Sequence, residues 1–259
     1  MKPALRFWRF DASAGRWADE TTGAAAPSSA GGGSGGGAVG VGEDVAVSAV
    51  WPDDSDDVWM WRDGYLCPQT LELASAASGC AAPEALKAMP AMFDADGLVV
   101  EQHFATSKDG TKVPFFVIMR EGLARDGSHA TLLDAYGGFE ISMLPGYSGG
   151  VGVGWLERGG VKVVANIRGG GEYGPSWHQA ALKEKRYKAY EDLEAVAAAL
   201  CHDLELTRRD KLAVIGGSNG GLLVGKGWGG DEGRASRYAG AHPHACSSRL
   251  LCCLLRGQG

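Results

Sequence analysis

The sequence predicts an α/β fold, with a mostly parallel sheet covered by helices and a β-rich segment before it. Three observations carry this. "VKVVANIRGGG" (161–171) and "KLAVIGG" (211–217) are continuous apolar runs of the kind buried in parallel sheets. Between them lies a helical stretch, about 177–203, in which Leu193, Val196, Ala197 and Leu200 share one face. Strand, helix, strand at these lengths is a βαβ unit. Ahead of them, residues 43–118 alternate apolar and polar residues between turn signals.

The elements follow in order. Residues 1–22 form a weak β segment around "FWRFDASAGRW". Residues 23–42, "GAAAPSSAGGGSGGGAVGVG", cannot bury enough apolar surface to offset their ordering entropy and are read as a disordered linker. Residues 43–97 are β-rich. "EDVAVSAVWP" alternates, and "DDVWMWRDGYLCPQTLELASAASG" is strand, turn, strand, closing at Gly79. Trp51, Trp59 and Trp61 are packing residues, and "DDSDD" (53–57) is a solvated turn that lacks the spacing of a calcium loop. "GLVVEQHFATSKDGTKVPFFVIM" is a hairpin turning at Asp109-Gly110. "ATLLDAYGG" is a short apolar strand ending in glycine.

Composition excludes several functions. The chain has 259 residues, 45% of them apolar, room for one large domain or two small ones. A net charge of −6 disfavours nucleic acid or an anionic membrane as partner. No apolar run reaches the roughly 20 residues of a membrane span. The N-terminus lacks the apolar core of a signal peptide, so the expected location is cytoplasmic. The cysteines Cys67, Cys80, Cys201, Cys246, Cys252 and Cys253 form no C-x-x-C pair, and no metal site is expected.

Two glycine motifs compete for the function. Gly169, Gly171 and Gly174 satisfy G-x-G-x-x-G after a strand and before a helix, as a dinucleotide site requires. The acids about 20 positions on, Glu191 and Asp192, sit inside the helix, where they cannot reach a ribose. The second motif is Gly216-Gly217-Ser218-Asn219-Gly220, or G-x-S-x-G. A nucleophile elbow turns sharply from strand to helix and crowds the residues two before and two after its serine, so Gly216 and Gly220 suit it. The helix N-terminus then offers the Asn219 amide to a developing oxyanion. Glycine and serine also make ordinary turns, so a structural loop stands beside the nucleophile reading.

Four segments together resemble the prolyl oligopeptidases, serine peptidases with an α/β-hydrolase domain capped by a β-propeller. They are "YGGFEISMLPGYS" (136–148), "GGVKVVANIRGGGEYGPSWHQ" (159–179), "YEDLEAVAAAL" (190–200) and "GGSNGGLLVG" (216–225). The resemblance implies a partial α/β-hydrolase fold over 98–225, with 43–97 as the end of a propeller. It implies that Ser218 is the nucleophile, that the Asn219 amide and the Tyr136 hydroxyl form the oxyanion site, and that Phe139 lines the substrate pocket. A short peptide is the implied substrate, with no cofactor. Arg168 and Glu172 are read as loop-ordering residues, since acyl transfer requires neither.

On this fold the acid and the histidine follow the serine. Residues 226–259 have no sheet or helix periodicity and resemble nothing in the family, so they are read as a disordered tail and the chain as truncated after the elbow. A frameshift, a truncated gene or a retained intron would each make such a change at Lys226. His242, His244, Asp231 and Glu232 are the only histidines and acids there, and they are not expected to reach Ser218. The chain alone is therefore expected to be inactive. The alternative reading is a non-catalytic fragment that acts by binding another protein.

Overall fold

The computed structural model describes residues 8–11, 16–19, 39–227 and 250–252, and the chain divides into two units. Residues 23–38 of the expected linker lie outside the described residues, as do 228–249 and 253–259 of the expected tail.

The first unit takes the residues up to Met92 together with Leu144–Gly149. It holds an antiparallel pair, β1 (Trp8–Asp11) and β2 (Arg16–Asp19), in the segment expected to be β. A four-stranded antiparallel meander follows: β3 (Glu43–Ala49), β4 (Asp57–Gly64), β5 (Thr70–Ser75) and β6 (Glu84–Ala88). Gly79 ends β5's following turn with φ 64°, in the left-handed region that glycine enters freely. Met60, Ala74 and Cys80 form a small core with Val45 and Val58 against it. The buried Arg62 is paired with Glu43 at 2.9 Å and Glu72 at 3.4 Å.

The second unit takes Phe93–Met143 and the residues from Gly150 on. Its sheet comprises β7 (Leu98–Thr106), β8 (Lys112–Arg120), β9 (Thr131–Ala135), β10 (Val161–Ala165), β11 (Leu212–Gly216) and β12 (Leu250–Cys252). The spatial order is β12-β11-β9-β10-β8-β7. β9 runs parallel to both β10 and β11, while β7–β8, β8–β10 and β11–β12 are antiparallel. The sheet is thus mixed rather than mostly parallel. The hairpin at Gly110 reverses β8 against β7, and β8 then meets β10 antiparallel. β12 also departs from the expected tail, since three of its residues pair with β11.

β8 and β10 are buried on both faces, which explains their largely apolar runs; Lys162 interrupts the run in β10 and is paired with Asp134 of β9 at 2.7 Å. On one face Val113, Phe115 and Val117 of β8 and Val161, Val163 and Ala165 of β10 join one large cluster. Into it pack Leu193, Val196, Ala197 and Leu200 from α3 (Tyr187–Ala198) and the π-helical turn after it (Ala199–Asp203), as well as Leu223 and Val224 from α4 (Asn219–Gly227). The alternate residues Phe116, Ile118 and Val164 are buried outside that cluster, as is Leu156. Leu156 belongs to the π-helical turn Gly152–Leu156 that continues α1 (Gly149–Val151). Helical segments therefore cover both faces of a partial α/β-hydrolase sheet.

The expected helix over 177–203 is interrupted. α2 (Pro175–Gln179) stops early, and a 3-10 turn (Lys183–Lys185) precedes α3. Two demands conflict. Trp177 Nε1 donates to the Ile167 carbonyl at 3.1 Å, which ties α2 to the glycine loop. Ala189, Leu193 and Val196 must face the sheet. Leu182 (ψ 151°) and Lys183 (φ 49°) absorb the change of direction.

One arginine fastens these pieces. Arg168, 3% exposed, follows β10. Its guanidinium grips both oxygens of the fully buried Asp192 on α3, at 2.6 Å and 2.9 Å for the shortest contacts. It also reaches Asp109 at 2.6 Å and Ser107 at 3.1 Å in the β7–β8 turn. Removing one partner of a buried pair leaves the other charge unpaired. Arg168→Ala should therefore cost roughly 3–5 kcal/mol of stability, read by denaturant melts; a loss below about 1 kcal/mol would contradict the pairing.

The hydrogen bonds from Arg168 and then Thr111 hold the Asp109 carboxyl well below the usual carboxylate range. A depressed folded pKa stabilises above the unfolded value of about 4 and loses that contribution as pH falls below it. Asp109→Asn should accordingly flatten the acid limb of a stability–pH curve, with the wild-type curve steeper below about pH 4.

Candidate active site

Helices leaving neighbouring strands on opposite faces open a crevice at the strands' carboxyl ends, where α/β proteins bind their ligands. β9 and β11 are such a pair. From β9 the chain passes to the π-helical turn on one face, and from β11 it passes to α4 on the other. Tyr136 follows β9 and Ser218 follows β11, so both lie at this switch point.

Ser218 is exposed and has φ 50°, in the left-handed region where a non-glycine residue is strained. β11 ends at Gly216 and α4 starts at Asn219, as the elbow motif predicts. Sterics explain the glycines. A Cβ on Gly216 would overlap the backbone of Gly220, and one on Gly220 would lie 2.5 Å from the Ala135 carbonyl oxygen. A flexible glycine loop has no such constraint; this turn is packed tight.

Asn219 is the first residue of α4, so its backbone N–H has no intrahelical acceptor and points out of the positive end of the helix. Its side chain is tied down. Nδ2 donates to the Tyr136 carbonyl at 2.7 Å, and Oδ1 accepts from Arg186 Nη2 at 3.2 Å. Asn219 and Tyr136 are thereby brought together across β9 and β11. Tyr136 is half-buried, whereas Phe139 is 73% exposed with φ 54°. Phe139 is thus no core residue.

Arg168 and Glu172 order the loop around 166–174, as expected. Glu172 Oε1 accepts from the Met143 amide at 3.0 Å and from Asn166 Nδ2 at 3.1 Å. The G-x-G-x-x-G loop is filled by the chain itself. A Cβ on Gly169 would overlap the Gly137 carbonyl, and one on Gly171 the Glu140 carbonyl. Of the two acids about 20 positions on, Asp192 is committed to Arg168 and Glu191 is paired with Lys108 at 3.5 Å.

Sequence reasoning missed Arg186 and the Asn219 side chain. Arg186 contacts residues 33 and 49 positions away, and nothing in its local pattern marks it. Among the described residues, no histidine or carboxylate hydrogen-bonds to Ser218. His103 pairs with Glu101, and His129 and His178 lie on backbone carbonyls. His242, His244, Asp231 and Glu232 lie outside the described residues.

Residues 151–247 match the prolyl oligopeptidase family. Through this region the chain is similar to prolyl oligopeptidases. The match runs past Gly225, so the similarity to the family extends into the segment expected to be a tail unlike it. The chain is 50% identical over 173 residues to the peptidase y4nA of Sinorhizobium fredii, covering 67% of this chain and 23% of that one. It is 42% identical over 161 residues to a prolyl endopeptidase of Elizabethkingia miricola, covering 62% and 22%. Among solved structures, a prolyl endopeptidase superposes with a TM-score of 0.65 at 39% identity, covering 72% of this chain and 27% of that one. A post-proline cleaving enzyme from Rickettsia typhi gives 0.61 at 36%, covering 71% and 26%. The chain spans about a quarter of the length of these relatives.

The strain at Ser218 is measurable. Ser218→Gly should raise stability by about 1 kcal/mol, because glycine enters the left-handed region without penalty. Ser218→Ala keeps the Cβ and should gain nothing. Equal stabilities for the two variants in thermal melts would refute a strained elbow.

Proposed function

We propose that this chain carries the nucleophile-bearing part of a serine peptidase that cleaves short peptides through an acyl-enzyme. The observation that carries the proposal is the left-handed backbone of the exposed Ser218 at the switch point. A histidine takes the Ser218 hydroxyl proton as Oγ attacks the peptide carbonyl. The carbonyl oxygen gains negative charge, which the Asn219 amide and the Tyr136 hydroxyl stabilise. Collapse expels the amine, which takes the proton from the histidine. Water then attacks the acyl group by the same route and frees Ser218. No cofactor enters this chemistry. Phe139, exposed beside the loop after β9, offers an apolar contact to the peptide. The base and its supporting acid are not assigned to any described residue.

The family relation supports two further assignments. The four-stranded antiparallel meander β3–β6 has the strand count of one propeller blade. Among the described residues no helix is long and apolar enough to cross a membrane, and Cys67, Cys80 and Cys201 are free thiols, which favours a cytoplasmic location.

A second reading is a non-catalytic chain that acts by binding another protein. It is favoured by the absence, among the described residues, of a base on Ser218. A fluorophosphonate probe separates the two. Labelling should be lost in Ser218→Ala and slowed roughly 10²-fold in Tyr136→Phe, as expected for one oxyanion donor. No labelling of soluble, folded protein would favour the second reading.

A further inference from the structure

Arg186 stands at the head of α3, just after the break that the sequence did not foretell. The break aims its side chain across the sheet end. Nη1 donates to the Gly137 carbonyl and Nη2 to Asn219 Oδ1 at 3.2 Å. Asn219 Nδ2 completes the circuit on the Tyr136 carbonyl at 2.7 Å. The Tyr190 ring lies beneath the guanidinium, 5.6 Å from its carbon to the ring centre.

Two glycines make room for this circuit. A Cβ on Gly169 would overlap the Gly137 carbonyl and come within 3.2 Å of Arg186 Nη1. A Cβ on Gly138 would overlap the Asn219 side-chain amide. The chain therefore leaves out side chains where the guanidinium and the carboxamide pass.

The circuit acts on the oxyanion site. It pins the first residue of α4 to the loop after β9, so the Asn219 amide cannot slide relative to Tyr136. It also engages the Tyr136 and Gly137 carbonyl oxygens, whose negative ends would otherwise be free to turn toward a developing oxyanion and repel it. A planar guanidinium suits two acceptors at once; a lysine ammonium is a point charge on a flexible stem.

We propose that Arg186 is a positioning residue for oxyanion stabilisation, fixing the Asn219 amide against Tyr136 through the Asn219 side chain and the Gly137 carbonyl. The proposal rests on Asn219 and Tyr136 being the oxyanion donors.

The test uses the full 259-residue chain, its Arg186→Ala and Arg186→Lys variants, and two readouts. One is the rate at which a fluorophosphonate modifies Ser218. The other is the backbone amide resonance of Asn219, which needs no reactive serine. Arg186→Ala should slow labelling by ~10- to 100-fold, the scale of a small misplacement of catalytic groups. It should also shift the Asn219 amide. Millimolar guanidinium ion should restore much of both, which a purely structural loss would not allow. Arg186→Lys, which keeps the charge and the stem, should remain slow. If Arg186→Ala does not fold, Arg186→Lys carries the same two readouts. The proposal is overturned if the Asn219 amide keeps its position in the variants, if their labelling stays within about twofold of wild type, or if guanidinium restores nothing. A wild-type chain that is never labelled counts against the peptidase reading of Ser218. The amide shift and its rescue still decide the role of Arg186.

Discussion

The backbone of Gly220 lies so close to the Ala135 carbonyl that no side chain fits between them. That contact joins the start of α4 to the end of β9. It leaves β11 only Gly217 and Ser218 in which to turn into the helix. Ser218 is therefore driven to φ 50° and out into solvent. The strain is not incidental to the site. A serine in the ordinary right-handed region would let the turn relax and carry the hydroxyl away from the helix N-terminus. The exposure of Ser218, the direction of the Asn219 amide and the nearness of Tyr136 all descend from this one steric limit.

Two guanidinium groups hold the loops that surround it, and they do different work. Arg168 is buried and joins β10, α3 and the β7–β8 turn through Asp192, Asp109 and Ser107. A buried ion pair of this kind adds little net stability over an apolar replacement, because desolvation offsets the attraction. What it fixes is the entry of the glycine loop. Arg186 is half-buried and joins that crossover to the elbow itself. The crossover between β10 and β11 is thus fastened at two points, by Arg168 at its start and by Arg186 at the head of α3.

Much of this was legible in the sequence, for physical reasons. Strands of a covered parallel sheet are largely apolar, so β10 and β11 could be placed from their runs even though Lys162 interrupts the first. The elbow could be placed because only small residues survive its crowding, and Gly216 and Gly220 record that. Leu193, Val196, Ala197 and Leu200 announced their shared face by period. The helix break at Leu182–Lys183 could not be read, since no glycine or proline marks it and its cause is tertiary. Trp177 is claimed by the Ile167 carbonyl, and Ala189 by the core. Nor could the sequence distinguish Arg186 from any other cation on a helix, because its partners are brought near only by folding. Phe139 was open between core and surface until its 73% exposure placed it on the surface. The antiparallel share of the sheet follows from a hairpin that was recognised. Its effect on the strand next to it was not.

The central claim is that Ser218 is held as a nucleophile against a preformed oxyanion site. A crystal structure of the chain after reaction with a small fluorophosphonate tests it most directly. The account predicts phosphorus bonded to Ser218 Oγ, with a phosphonyl oxygen within hydrogen-bond distance of the Asn219 amide and the Tyr136 hydroxyl. An adduct whose oxygen points to solvent, or a Ser218 left unmodified with its backbone out of the left-handed region, would contradict it.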